Sequence, residues 1–142
     1  MKFSEIREMM EQDSIINPAH LDEASLAIPY LHSKWYNIFI EELRVLRGID
    51  VEYNMLLKDK MEYYLGKASD DAYVQQPLHL KILKQDVDVY LKADAELSSL
   101  ESKKSLQRIK VETVEGFIKN INNRSFMIKN AIDFRKFVNG IV

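Results

Sequence analysis

An all-α fold of long helices is expected from three features of the sequence. Glycine and proline are scarce, four and three in 142 residues, which leaves few positions for the tight turns that a sheet needs. Apolar residues recur at intervals of three, four and seven over long stretches of the chain, the spacing of a helix face. Hydrophobic residues make up 46% and charged residues 30%, the balance of a folded, soluble chain rather than a disordered or membrane one. The length suits one continuous domain, read as an N-terminal helical part over residues 1–76 and a C-terminal helical part over 77–142.

The elements follow in order. Phe3, Ile6, Met9 and Met10 predict a short helix from Phe3 to Gln12, interrupted by Asp13-Ser14. Asn17-Pro18 reads as the next helix start, because Asn caps free N–H groups and Pro lacks one itself. Pro29 then requires a kink or a fresh start. From there to Leu65, Phe39, Leu46 and Tyr53 fall seven apart, with Ile49, Leu56 and Tyr63 as a second row, a coiled-coil-like seam. Glu42 and Lys60 interrupt this seam, so Lys60 must snorkel out or meet a ligand or partner.

Gly66 suits a left-handed cap, and Ser69 through Pro77 reads as a connection. Leu80, Leu83, Val87, Tyr90 and Leu91 are spaced for a shorter helix. Asp94 can cap the last element, in which Leu97, Leu100, Val114, Phe117, Ile121, Ile128, Ala131 and Ile132 recur until Gly140 stops it. Asn122-Asn123 is a possible bend. A helix from Ala95 to Val138 would run about 65 Å at ~1.5 Å per residue, too long to be wrapped by a subunit of this size. Another subunit is expected to cover part of it, and Val114, Phe117, Ile121, Ile128 and Ile132 are the apolar positions assigned to that contact.

Several chemistries are excluded. With no cysteine there is no disulfide, thiolate metal site or cysteine nucleophile. His20, His32 and His79 are dispersed, and His20-x-x-Glu23 reverses the order used in helical di-iron sites. Gly48, Gly66, Gly116 and Gly140 stand too far apart for a phosphate-cradling loop. The expectation is a protein without catalytic residues, metal or cofactor. Lys2, Glu5, Arg7 and Glu8 interrupt the N-terminus, where a secretory signal would be apolar, and Lys34 breaks the most apolar stretch, too short to span a membrane. A cytoplasmic location is expected.

The formal net charge of −2 hides an uneven distribution. Residues 1–33 carry four surplus negative charges and residues 103–142 six surplus positive ones. In the basic part Lys104, Arg108, Lys119, Lys129 and Lys136 fall within about a third of a helix circumference at ~100° per residue. Such a stripe suits a DNA track or the acidic part of a neighbouring subunit. Between Lys58 and Lys67, Lys58, Lys60 and Lys67 are interleaved with Tyr63 and Tyr64 near a helix end. Single-stranded nucleic-acid binders use this mixture to neutralise phosphate and stack bases, and a core-facing tyrosine pair beside solvated lysines is the structural alternative. Asp86, Asp88 and Asp94 are open between caps, intersubunit salt bridges and a partner site.

Five blocks together resemble one family. They are Asp13-Ser14-x-Ile16, Tyr30-Leu31-His32-Ser33-Lys34-Trp35-Tyr36, Lys60-x-x-Tyr63-Tyr64-x-Gly66-Lys67, Leu83-Lys84-x-Asp86-x-Asp88-x-Tyr90-Leu91-x-Ala93-Asp94, and Arg124-x-Phe126-x-Ile128-Lys129-x-x-Ile132 with Phe137-x-x-Gly140. In order, spacing and length the chain resembles the phage UvsY-type recombination mediators over nearly its whole extent.

The resemblance implies a non-catalytic ring of about six or seven elongated subunits, assembled through the C-terminal region. That ring would bind single-stranded DNA and contact a RecA-like recombinase and the single-stranded-DNA-binding protein, helping the former displace the latter. It also implies that the family's Leu-Lys-x-basic DNA motif falls on Leu57-Lys58-Asp59-Lys60. Lys60 stands where the best known member has arginine, and Asp59 puts a negative charge inside the motif. Lysine lacks the bidentate fork of arginine, and Asp59 offsets its neighbours. The contrasting expectation is a helical scaffold that forms an oligomer without binding DNA.

Overall fold

The computed structural model describes residues 1–141, and every regular element among them is helical. The elements are α1 (Phe3–Asp13), α2 (Leu21–Leu26), α3 (Ile28–Tyr64), α4 (Asp70–Gln75), a 3-10 turn at Lys84–Asp86, α5 (Val87–Ala93) and α6 (Ala95–Val138). They form two units, Met1–Leu43 together with the chain from Ile109 onward, and Arg44–Arg108. The long helices α3 and α6 contribute a part to each.

The first unit is built on the apolar face of α1. Ile6 is fully buried with Trp35, Val114, Phe117, Ile118 and Ile121, and Met9, Met10, Leu31 and Phe39 close the cluster. Trp35 meets Phe117 edge to face with ring centroids 4.7 Å apart, a geometry that suits the quadrupoles of both rings. The second core is smaller: Val87, Leu91 and Leu97 pack with Tyr53, Leu56, Leu57, Tyr64, Leu65 and Ile82.

Most boundaries follow the sequence signals, and three differ. The helix expected at Asn17-Pro18 starts only at Leu21. Asn17 closes a local turn instead of capping a helix, accepting the Ala19 N–H at 2.9 Å on Oδ1, an Asx turn in competition with the cap. Pro29 lies in the first turn of α3, where its missing N–H costs nothing. The expected connection after Gly66 contains α4, which follows Ser69 and carries two acidic residues in its first turn. The helix expected from Leu80 starts at Val87, and Leu80 and Leu83 are exposed.

Two glycines perform the stops expected of them. Gly66 and Gly140 have φ of 76° and 70°, the left-handed conformation that glycine adopts without steric cost. The Lys67 N–H reaches the Glu62 carbonyl and the Ile141 N–H the Lys136 carbonyl, both at 2.8 Å, which satisfies carbonyls the helix end leaves unpaired. Between its ends α6 passes Asn122-Asn123 without interruption.

Candidate nucleic-acid interface

The segment from Lys58 to Lys67 closes α3 and enters the Gly66 turn. Lys58 projects into solvent, its side chain 74% exposed, with Glu62 one turn on at 3.9 Å. Lys67 is exposed just beyond the glycine. Lys60 is placed differently. Its side chain is 12% exposed, and its Nζ lies 3.2 Å from Asp94 Oδ2 and 3.6 Å from Glu96 Oε2. Both charges that interrupt the seam of α3 thus meet partners in the chain itself, Lys60 these carboxylates and Glu42 the Lys110 ammonium at 3.0 Å.

Tyr63 and Tyr64 are half-buried and engaged with protein. The Tyr63 hydroxyl donates to the Gln76 carbonyl at 2.9 Å. Its ring stacks on Tyr73 at 5.4 Å and meets Tyr64 edge-on at 5.1 Å. Tyr73 holds the following turn, donating to the Tyr63 carbonyl at 2.8 Å and accepting the Ala68 N–H at 3.2 Å. The Tyr64 hydroxyl donates to Asp94 Oδ2 at 2.6 Å, and its ring belongs to the second core.

Asp94 is the hub of this region. Its Oδ1 accepts the Leu97 N–H at 3.0 Å, the N-cap bond expected from the sequence. Burial acts to raise its pKa, but the Tyr64 hydroxyl, the Leu97 N–H and the Lys60 ammonium outweigh burial and hold the carboxyl below its ordinary value. Burial, reinforced by the hydrogen bond to Asp94 and its charge, pushes the Tyr64 hydroxyl upward. Beside this hub runs a polar groove whose wall includes Asp59, Lys60, Glu62, Tyr63, Gln76 and Glu96. Asp59, Glu62 and Glu96 outnumber the one lysine on its wall, although Lys58 stands 3.9 Å from Glu62, so the groove leans negative.

The other basic candidates divide in the same manner. Lys104, 16% exposed, is paired to Asp50 at 2.7 Å and lies 5.0 Å from the Tyr53 ring centroid, a cation–π contact. Arg108, Lys119, Lys129 and Lys136 are exposed. Among the described residues, no group of histidine, aspartate and glutamate could hold a metal ion, and no helix is long and apolar enough to cross a membrane.

Of the positions expected to meet another subunit, Val114, Phe117, Ile121 and Ile128 are buried within the chain, and Ile132 is 36% exposed. The apolar side chains that α6 leaves open are others: Phe126, Phe134 and Phe137 are 68, 67 and 80% exposed. At ~100° per residue these three fall within about 80° of one another, on the side opposite Phe117 and Ile128. The signal was in the sequence as a second apolar row, hidden because the row that forms the core is longer.

The chain matches the family model described as "Recombination, repair and ssDNA binding protein UvsY" over residues 9–141. It is 23% identical over 140 residues to the recombination protein uvsY of Enterobacteria phage T4, covering 99% of both chains. Crystal structures of the bacteriophage T4 recombination mediator protein UvsY share its fold. One in lattice type II has a TM-score of 0.86 at 22% identity and covers 98% of each chain. Another, in lattice type IV, scores 0.85 at 22% identity, covering 96% of this chain and 99% of the other. With a match running through nearly every element from α1 to the end of α6, the chain belongs to the UvsY family of recombination and repair proteins.

Proposed function

We propose that this protein is a non-catalytic recombination mediator that binds single-stranded DNA and promotes loading of a RecA-like recombinase in place of single-stranded-DNA-binding protein. The observation that carries this reading is the family match across residues 9–141, whose description includes single-stranded DNA binding. The exposed lysines 58 and 67 at the end of α3 supply phosphate-neutralising charge, and Arg108, Lys119, Lys129 and Lys136 extend the supply along α6.

In this reading the working form is a homo-oligomer, a ring of about six or seven subunits in the host cytoplasm. Residues 1–76 contribute DNA and recombinase contacts, and residues 77–142 the assembly contacts. Phe126, Phe134 and Phe137 are exposed aromatic surface of the kind that subunit interfaces cover. A ring multiplies weak contacts: each subunit needs to neutralise only one or two phosphates for the assembly to bind tightly.

Fluorescence anisotropy with labelled oligonucleotides tests the reading, accompanied by light scattering on the eluting protein. The expected result is an oligomer that prefers single strands to duplex, has little base preference and weakens steeply with salt. A duplex preference, a salt-insensitive signal or a monomer indifferent to DNA overturns it. An oligomer indifferent to DNA also overturns it, in favour of the scaffold.

A further inference from the structure

We propose that Lys60 is a positioning residue of the DNA-binding segment and not a phosphate contact: it serves as the internal counter-ion of Asp94, fixing the end of α3 to the start of α6. This assignment rests on the single-stranded-DNA reading above and divides its basic segment between two tasks. Lys58 and Lys67 face solvent, whereas Lys60 is committed to the fold.

Three observations carry the assignment. Lys60 Nζ is 3.2 Å from a carboxylate that is itself 5% exposed. Releasing the lysine to a phosphate would leave that buried carboxylate without its cation, a state far costlier than an open surface pair. Asp94 also has fixed geometry, since the Tyr64 hydroxyl holds Oδ2 and the Leu97 N–H holds Oδ1. It therefore has no freedom to follow a departing lysine. Finally, Asp59, Glu62 and Glu96 line the groove beside Lys60, and of these only Glu62 has Lys58 near it, so the lining disfavours a phosphate there. Lys58, on the outer face of the same helix, needs no such release.

The salt dependence of DNA binding separates the two lysines, because each phosphate contact to a single strand contributes about 0.7 to the slope of log K against log salt. Full-length Lys58→Ala, Lys60→Met and Lys60→Arg are compared with the parent by anisotropy on a labelled oligothymidylate. Lys58→Ala is expected to lower the slope, while Lys60→Met keeps the parental slope and unfolds at lower urea. Lys60→Arg restores the urea midpoint by restoring the cation.

Lys60→Met/Asp94→Asn removes both charges but keeps a capping side chain, so it is expected to recover much of the midpoint lost in Lys60→Met and to bind with the parental slope. Should Lys60→Met itself fail to fold, this double variant supplies the slope. A slope lowered as far by Lys60→Met, or by the double variant, as by Lys58→Ala overturns the assignment. So do additive effects of the Lys60 and Asp94 substitutions on the urea midpoint. If the parent binds no single-stranded DNA, the proposed function fails on its own, and the urea cycle still decides whether Lys60 is the counter-ion of Asp94.

Discussion

Each unit of the molecule holds one aspartate that gathers several partners, and the two stand at opposite ends of their helices. Asp13 is the last residue of α1, where the helix dipole is negative and no backbone N–H is free to meet a carboxylate. Its Oδ2 instead accepts two side-chain donors from α3, Lys34 Nζ and Trp35 Nε1, both at 2.8 Å. Arg124 of α6 donates to the Asp13 backbone carbonyl, one of the acceptors a helix end leaves open. Burial pushes the Arg124 guanidinium below its ordinary value, and the charge of Asp13 opposes the fall. Asp94 stands before α6, where dipole and backbone N–H groups favour a negative charge, and it needs only one cation. The same side chain is thus satisfied by tertiary contacts alone at one site, and by a local cap together with tertiary contacts at the other.

The largest expected effect comes from breaking the tertiary site. Trp35 is fully buried, packs on Phe117 and donates to Asp13. Trp35→Ala is expected to cost about 3–5 kcal/mol, the range for removing a large aromatic from a core. Urea denaturation followed by circular dichroism measures it. Trp35→Phe separates the two roles, since it keeps most of the packing but takes a donor from Asp13. It should cost about 1.5–3 kcal/mol, the scale of one hydrogen bond to a charged group. A loss near that of alanine would show that Asp13 depends on the indole N–H more than the geometry indicates.

The Asp94 site should yield less. Asp94→Ala removes a cap and leaves Lys60 and the Tyr64 hydroxyl without their acceptor. The expected loss is about 2–3 kcal/mol, below the full range for breaking a buried pair because Glu96 remains near Lys60. Asp94→Asn should lose less than alanine, since asparagine caps about as well as aspartate. Equal losses would mean that the charge, not the cap, carries the site.

The same contrast explains what could be read from the sequence. The Asp94 cap, the Gly66 and Gly140 stops and the span of α6 depend on residues within one or two turns of each other, so sequence spacing carries them. The partners of Asp13 lie 21 and 22 residues away for α3 and 111 for α6, and nothing local marks them. Lys60 was recognisable as a charge in an apolar seam, but Asp94 could not be singled out as its partner, because only packing brings α3 to the start of α6. The basic segment was legible as a composition and not as a geometry: Tyr63 and Tyr64 turn inward, and only part of its charge faces solvent. On α6, Val114, Phe117, Ile121 and Ile128 are buried within the chain, since the longest apolar row is the one a chain buries in itself. Its exposed partner, Phe126, Phe134 and Phe137, is shorter and shares its helix with the buried row.

The smallest effect is read through its pH dependence, at the Asp94 site. Asp94 and Tyr64 shift in opposite directions, the carboxyl downward and the hydroxyl upward. A carboxyl with a depressed folded pKa stabilises the protein above its unfolded value near 4 and loses that contribution as pH falls through the folded value. A hydroxyl with a raised folded pKa contributes fully below its unfolded value near 10 and loses the contribution as pH rises toward the folded value. Between pH 5 and 9 both contributions are therefore expected to be present, and stability should decline on either side. Tyr64→Phe removes the ionisation while keeping the ring in the second core. At neutral pH it should cost about 1.5 kcal/mol, the low end for a bond to a charged acceptor, because Asp94 keeps the Leu97 N–H and the Lys60 ammonium. Its disadvantage should shrink as pH rises above 10, where the parent must hold a proton that the unfolded chain releases. Urea midpoints at pH 7, 9 and 10.5 measure the difference, and a gap that stays constant or widens with pH would remove Tyr64 from the network that holds Asp94.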